Sequence, residues 1–274
     1  MSDNQISSSE AASNLGKAAT AVSSTSAELL RTASDPDLTE DLALALLKRP
    51  DLPGEVLERL AQNAHALNSR KVKIALACHA NAPRHVSVPL VRQFYAFDLM
   101  KIALSPSVPA DVKVIADDTL ISRLKAITKG ERLTLARRAS GRVAAALLLD
   151  VENMDGKITA NKTDGTIRMK DAQSIARETR VMHTALENPR LTETLVINSV
   201  LRPIASAALV HAVAQHAKWS LRREVRAALL RTEHLSLARA LEFSREIQAP
   251  LLRELLASSR LPEQIKQQLL RENA

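Results

Sequence analysis

Six basic residues recur as pairs: Arg70 with Lys73, Lys129 with Arg132, and Arg223 with Arg226. Each pair is spaced i, i+3, which puts both cations on one face of a helix. Aligned on helix-capping positions, Arg70 and Lys73 coincide with Arg223 and Arg226. Lys129 and Arg132 match as well when Arg142 is taken as a degenerate cap. The chemistry of such a face is anion binding, to the carboxylates of an acidic peptide or to nucleic-acid phosphates. Its location is unusual, because an exposed cation near a helix N-terminus is disfavoured by about 0.3–1 kcal/mol. Intervening segments lack the pair, and the alternative is a solvated surface face.

Other chemistry is thinner. The histidines are His65, His79, His85, His183, His211, His216 and His234. None makes a His-Glu-x-x-His pattern, and His211 and His216 lie five apart, off a shared helical face. Cys78-His79 is one isolated pair where a structural zinc site needs four ligands, so no metal and no cofactor is expected. Neither a Gly-x-Ser-x-Gly nor a phosphate-binding glycine loop occurs; Gly130, Gly141, Gly156 and Gly165 stand alone. Asp117-Asp118 and Glu224 supply carboxylates, which on short helices face water or pair with arginine.

Five aromatics remain. Phe94, Tyr95 and Phe97 fall within four positions and are expected to fill the core rather than stack on bases. Trp219 precedes Ser220, where a hydrophobic staple belongs; the alternative is a wedge for a flipped base.

These side chains must be carried by helices. Of 274 residues, 46% are hydrophobic but only 2% aromatic, and glycine numbers 6. That composition disfavours all-β folds and glycine-loop nucleotide folds. A single cysteine rules out an intrachain disulfide. No signal peptide is read at the N-terminus, and the longest apolar run, Val143 to Leu149, is far short of the roughly 20 residues of a membrane span. A cytoplasmic location without membrane attachment is expected. Net charge is +8: residues 1–40 carry −4 and the rest +12. A basic body of this kind suits an acidic partner, with solubility alone as the alternative.

Residues 1–38 form a Ser/Ala/Thr-rich tail that buries too little apolar surface to order, with at most a transient turn at Ala27 to Arg31. Thereafter Ser/Thr caps and first-turn prolines predict helix starts at Thr39, Pro53, Ser69, Pro83, Asp98, Pro109, Thr128 and near Arg142. The series resumes at Thr192, Ser206, Ser220, Ser236, Pro250 and Pro262. The spacing of about 14 residues suits a short helix and a turn, and two such units make a hairpin of about 28 residues. Between Arg142 and Thr192 the series has 22 residues too many. The surplus at 151–170 is a flexible loop or a small hairpin of Lys157 to Thr159 with Thr166 to Met169, with a helix resuming near Asp171 and running to about Glu187.

A signature recurs in Leu46-Leu47-Lys48-Arg49-Pro50-Asp51-Leu52-Pro53, in Ala103 to Pro109 and in Ala185-Leu186-Glu187-Asn188-Pro189-Arg190-Leu191-Thr192. Small and aliphatic residues close a buried helix, the first proline ends it, and Pro or Thr three residues on opens the next. With this motif, residues 40–271 resemble bacterial HEAT-like repeat proteins, including the leucine-rich-repeat-variant group. The period of 28 is shorter than that of HEAT repeats. The resemblance implies a curved recognition scaffold and no catalytic residue.

The expected protein is an all-α solenoid of about 13 short helices: a tail at 1–38, repeats at 39–150, an insertion at 151–170 and continuous repeats at 171–274. Its expected function is non-catalytic binding of a protein or acidic peptide. The alternatives are a nucleic-acid-binding module and, behind it, a HEAT-like DNA glycosylase.

Overall fold

A computed structural model describes residues 26–149 and 179–273, and among the described residues every regular element is a helix. The fold is all-α. The expected insertion at 151–170 and the first 25 residues of the expected tail lie outside the described residues. Two compact units divide at Thr119/Leu120.

The first unit contains α1 (26–33), α2 (Glu40–Leu47), α3 (Gly54–Gln62), α4 (Arg70–Ala77), α5 (Arg84–Val91) and α6 (Ala96–Leu104). Helix α7 (Ala110–Ser122) carries the division. The starts follow local chemistry. Thr39 and Ser69 accept from the N–H groups of Leu42 and Val72, each satisfying a donor that has no intrahelical partner. Pro53 and Pro83 occupy the capping positions of α3 and α5 in extended conformation.

Order begins earlier than the expected boundary at Thr39. Residues 26–33 are helical, and Ala33 and Leu38 are fully buried. The reason is non-local: Asn63 Nδ2 donates to Ala33 O (3.2 Å) and Asp35 O (2.7 Å), and His65 Nδ1 lies 3.1 Å from Leu38 O. Composition cannot report a partner about 30 residues downstream.

The second unit runs through α8 (Lys129–Arg138), α9 (Gly141–Leu149), α10 (179–186), α11 (Glu193–Val200), α12 (Ala207–Gln215) and α13 (Arg223–Leu229). It ends with α14 (Leu237–Ser244), α15 (Ala249–Ala257) and α16 (Glu263–Glu272). Thr128 and Glu131 close a reciprocal capping box at α8, and Thr192 and Ser206 cap α11 and α12. Three starts differ from expectation. Helix α6 is entered at Tyr95, with Asp98 inside it. Helix α9 begins at Gly141, where Ser140 Oγ accepts from Val143 N (3.3 Å). Helix α13 begins after Arg222 because the chain makes an extra turn at 217–221 that seats Trp219 in the core.

Within each unit helices pack on alternate neighbours as well as adjacent ones: α2 on α4 and α4 on α5 in the first, α9 on α11, α11 on α13 and α14 on α16 in the second. Polar side chains tie the turns between these layers. Asn81 Nδ2 donates to Pro50 O and Leu52 O, and His79 Nε2 to Arg49 O. Trp219 Nε1 donates to Leu186 O, Ser259 Oγ to Leu230 O, and Asn273 Nδ2 to Ser244 Oγ. With Asn63 and His65, the partners in these ties stand 27 to 33 residues apart. Among the described residues no buried side-chain nitrogen or oxygen lacks a partner.

Candidate anion-binding site

The three basic pairs stand on α4, α8 and α13, each entered through a tight corner: the 3₁₀ turns Ala66–Asn68 and Leu124–Ala126, and the turn at 217–221. Because the capping residues are Ser69, Thr128 and Arg222, all three pairs occupy the first and fourth residues of their helices. Arg70 and Lys73 belong to the first unit; the other four belong to the second.

The fourth-position cations do not make a uniform solvent face. A helical Cβ tilts toward the N-terminus, so a long side chain there reaches back to the entry corner. Arg132 Nε donates to Ile127 O (3.3 Å) and its Nη2 to Lys125 O (3.2 Å). Arg226 Nε donates to Ser220 O (2.6 Å), its guanidinium pairs with Glu246, and it lies 5.3 Å over the Phe243 ring. Arg226 is only 9% exposed, which removes it from the expected basic surface: its charge is used to hold a corner together. Lys73 is half-buried.

The first-position cations Arg70, Lys129 and Arg223 are exposed. Arg70 is partly committed: its Nε donates to Asp98 Oδ2 (2.9 Å), and Asp98 is buried. The guanidinium also stands 5.1 Å from the centre of the Tyr95 ring. Tyr95 corrects the aromatic expectation, being 72% exposed while Phe94 is buried. Lys129 lines a groove of about 270 Å³ with Gly130, Leu133, Arg180 and Val181.

The remaining candidates have structural surroundings. Trp219 is buried and donates its indole N–H to Leu186 O (2.9 Å), with Lys218 Nζ 4.1 Å over the ring. Placed there, its ring is no wedge for a base. Burial pushes the Cys78 thiol up to about 11, so the thiolate that would act as nucleophile is scarce. Burial also holds His216 below its ordinary value, opposed by the charge of Glu187. Asp117 is buried and Asp118, beside it on α7, is exposed. Among the described residues no three His, Cys, Asp or Glu side chains are placed to hold a metal ion, and no helix is long and apolar enough to cross a membrane.

Comparison with protein-family models, curated proteins and solved structures finds no match. The site's own geometry is therefore what speaks to function. It offers exposed guanidinium and ammonium groups on short helices braced by buried polar ties.

Proposed function

We propose that this chain is a non-catalytic, cytoplasmic α-helical repeat scaffold of the HEAT-like kind its sequence resembles, and that it binds a partner protein through an acidic peptide. The observation that carries this reading is the series of turn-to-turn ties between residues 27 to 33 apart. Such a series supports stacked hairpins of about 28 residues, in which each layer buries the apolar face of its neighbour. Repetition of one unit presents equivalent surface positions at regular steps, which is how extended binding surfaces arise. Exposed Arg70 makes part of the first unit's surface basic, and exposed Lys129 and Arg223 do so on the second.

The test is equilibrium titration of the full chain with a glutamate-rich peptide and with duplex DNA, each at two salt concentrations. Peptide binding with a shallow salt response is expected, because apolar contacts share in protein interfaces. Tighter binding of DNA, with a log–log salt slope of about −0.9 per phosphate neutralised, would assign the surface to nucleic acid instead.

A further inference from the structure

The second unit carries a set of cations outside the six expected ones. Arg202 and Arg231 follow the ends of α11 and α13 by two residues, and Arg260 follows the end of α15 by three. They are spaced 29 and 29 residues apart, and all three are exposed. The backbone places them side by side. Arg260 N donates to Arg231 O (3.0 Å), and Arg260 Nη2 donates to Leu201 O (3.2 Å), the carbonyl that precedes Arg202. Ser259 Oγ, bonded to Leu230 O (2.6 Å), locks the same two turns together. Arg202 and Arg260 line one small hollow with Thr232, Glu233 and His234. The one carboxylate there, Glu233, sets its Oε1 3.0 Å from His234 Nε2 and pairs with neither arginine. Among the described residues the guanidinium groups of Arg202 and Arg231 make no hydrogen bond or ion pair, so two of the three like charges stand without an internal partner.

We infer that Arg202, Arg231 and Arg260 form a guanidinium ladder that binds the carboxylates of an extended acidic peptide, one arginine per helical layer. This rests on the proposed scaffold reading and names its site. Arginine forks match carboxylates with two parallel hydrogen bonds, and the ladder contains no lysine. The three arginines leave adjoining turns joined by the Arg260 N–Arg231 O bond, and acidic residues at every third position of an extended peptide, roughly 10 Å apart at 3.2–3.4 Å per residue, let each carboxylate meet a different guanidinium. Beside the cations stand Pro203 and the half-exposed Ile204, an apolar margin that a peptide side chain covers and a phosphate backbone does not.

The experiment measures binding of the full chain to a dye-labelled peptide of Glu-Ser-Gly triplets. Comparison ligands are an isomer with its glutamates consecutive and a duplex DNA, at about 50 and 200 mM salt. The triplet peptide is expected to bind best. Arg202→Glu/Arg231→Glu should weaken it about tenfold or more while leaving the melting temperature unchanged, since neither side chain holds the fold. Arg253→Glu, at an exposed arginine on α15 outside the ladder, should leave it unchanged. Peptide binding that survives the double reversal overturns the ladder and keeps the scaffold reading. A wild-type chain that binds DNA and neither peptide overturns both, and preference for the consecutive isomer overturns the one-per-layer spacing.

Discussion

The side-chain amide of Asn188 donates to the carbonyl oxygen of Ala136 at 2.8 Å, joining the chain that follows residues 150–178 to α8, two helices before them. The same amide donates to Ala139 O (3.2 Å), and its oxygen accepts from Arg190 N (2.8 Å). Asn188 is fully buried. Asn188→Ala strands these backbone groups away from water and should cost about 1–3 kcal/mol of unfolding free energy, read from urea denaturation. An unchanged midpoint would show that the tie bears no weight.

Two glycines should respond with opposite signs. Gly130 is exposed in the first turn of α8, and a methyl group there meets nothing. Gly130→Ala should raise stability by about 0.5–1 kcal/mol by restricting the unfolded chain. At Gly141 the new Cβ would collide with the carbonyl oxygen of Arg190 and touch Leu195. Gly141→Ala should therefore destabilise by about 1–3 kcal/mol despite the better helix propensity. Thermal melts of both variants test the pair.

Reversal of Arg226 reads out the corner, not a ligand. It is buried against Phe243, Glu246 and the Ser220 carbonyl. Arg226→Glu should destabilise by about 3–5 kcal/mol, because a carboxylate then faces Glu246 and a carbonyl oxygen. Arg223→Glu, exposed at the start of the same helix, should move stability by no more than about 0.5 kcal/mol. Equal effects in denaturation would contradict the burial of Arg226.

Arg70 and Asp98 should be coupled. Asp98 keeps little solvent of its own and accepts from Arg70 Nε. Arg70→Met leaves that carboxylate without its cation and should cost about 1–3 kcal/mol, the loss being tempered by the half-exposed position of Arg70. In a double-mutant cycle, adding Asp98→Asn should recover much of it. Additive losses would mean the pair contributes nothing.

His216 supplies a pH dependence. Its folded value lies below the ordinary 6.5 because burial disfavours the imidazolium, as do His183 and Lys218, against the pull of Glu187. Near that pH the unfolded state binds more protons, so stability rises with pH. The contribution is complete above the unfolded value and is lost as pH falls toward the folded one. Protonation also removes Nδ1 as acceptor for Lys218 N (3.2 Å). Urea midpoints at about pH 8 and about pH 5.5 should differ less in His216→Asn than in the wild type. An equal difference would exclude His216 as the source.

Helix starts were legible because they are made by neighbours in sequence. Thr39, Ser69, Thr128, Thr192 and Ser206 each accept from an N–H three residues on, and a hydroxyl at that spacing does the same in any protein. The all-helical class followed from composition in the same way. Burial and pairing followed no such rule. Leu38 is interior and Tyr95 exposed, although one stands in a polar stretch and the other in an aromatic cluster. Arg223 and Arg226 share a helical face in sequence, yet one meets water and the other Glu246, 20 residues away. Even Arg202, Arg231 and Arg260, whose even spacing was open to view, become neighbours only when Arg260 reaches the Arg231 and Leu201 carbonyls. A cap needs three residues of context. A buried side chain or a shared cation surface needs a partner one helical layer away, and only the packing of the layers chooses it.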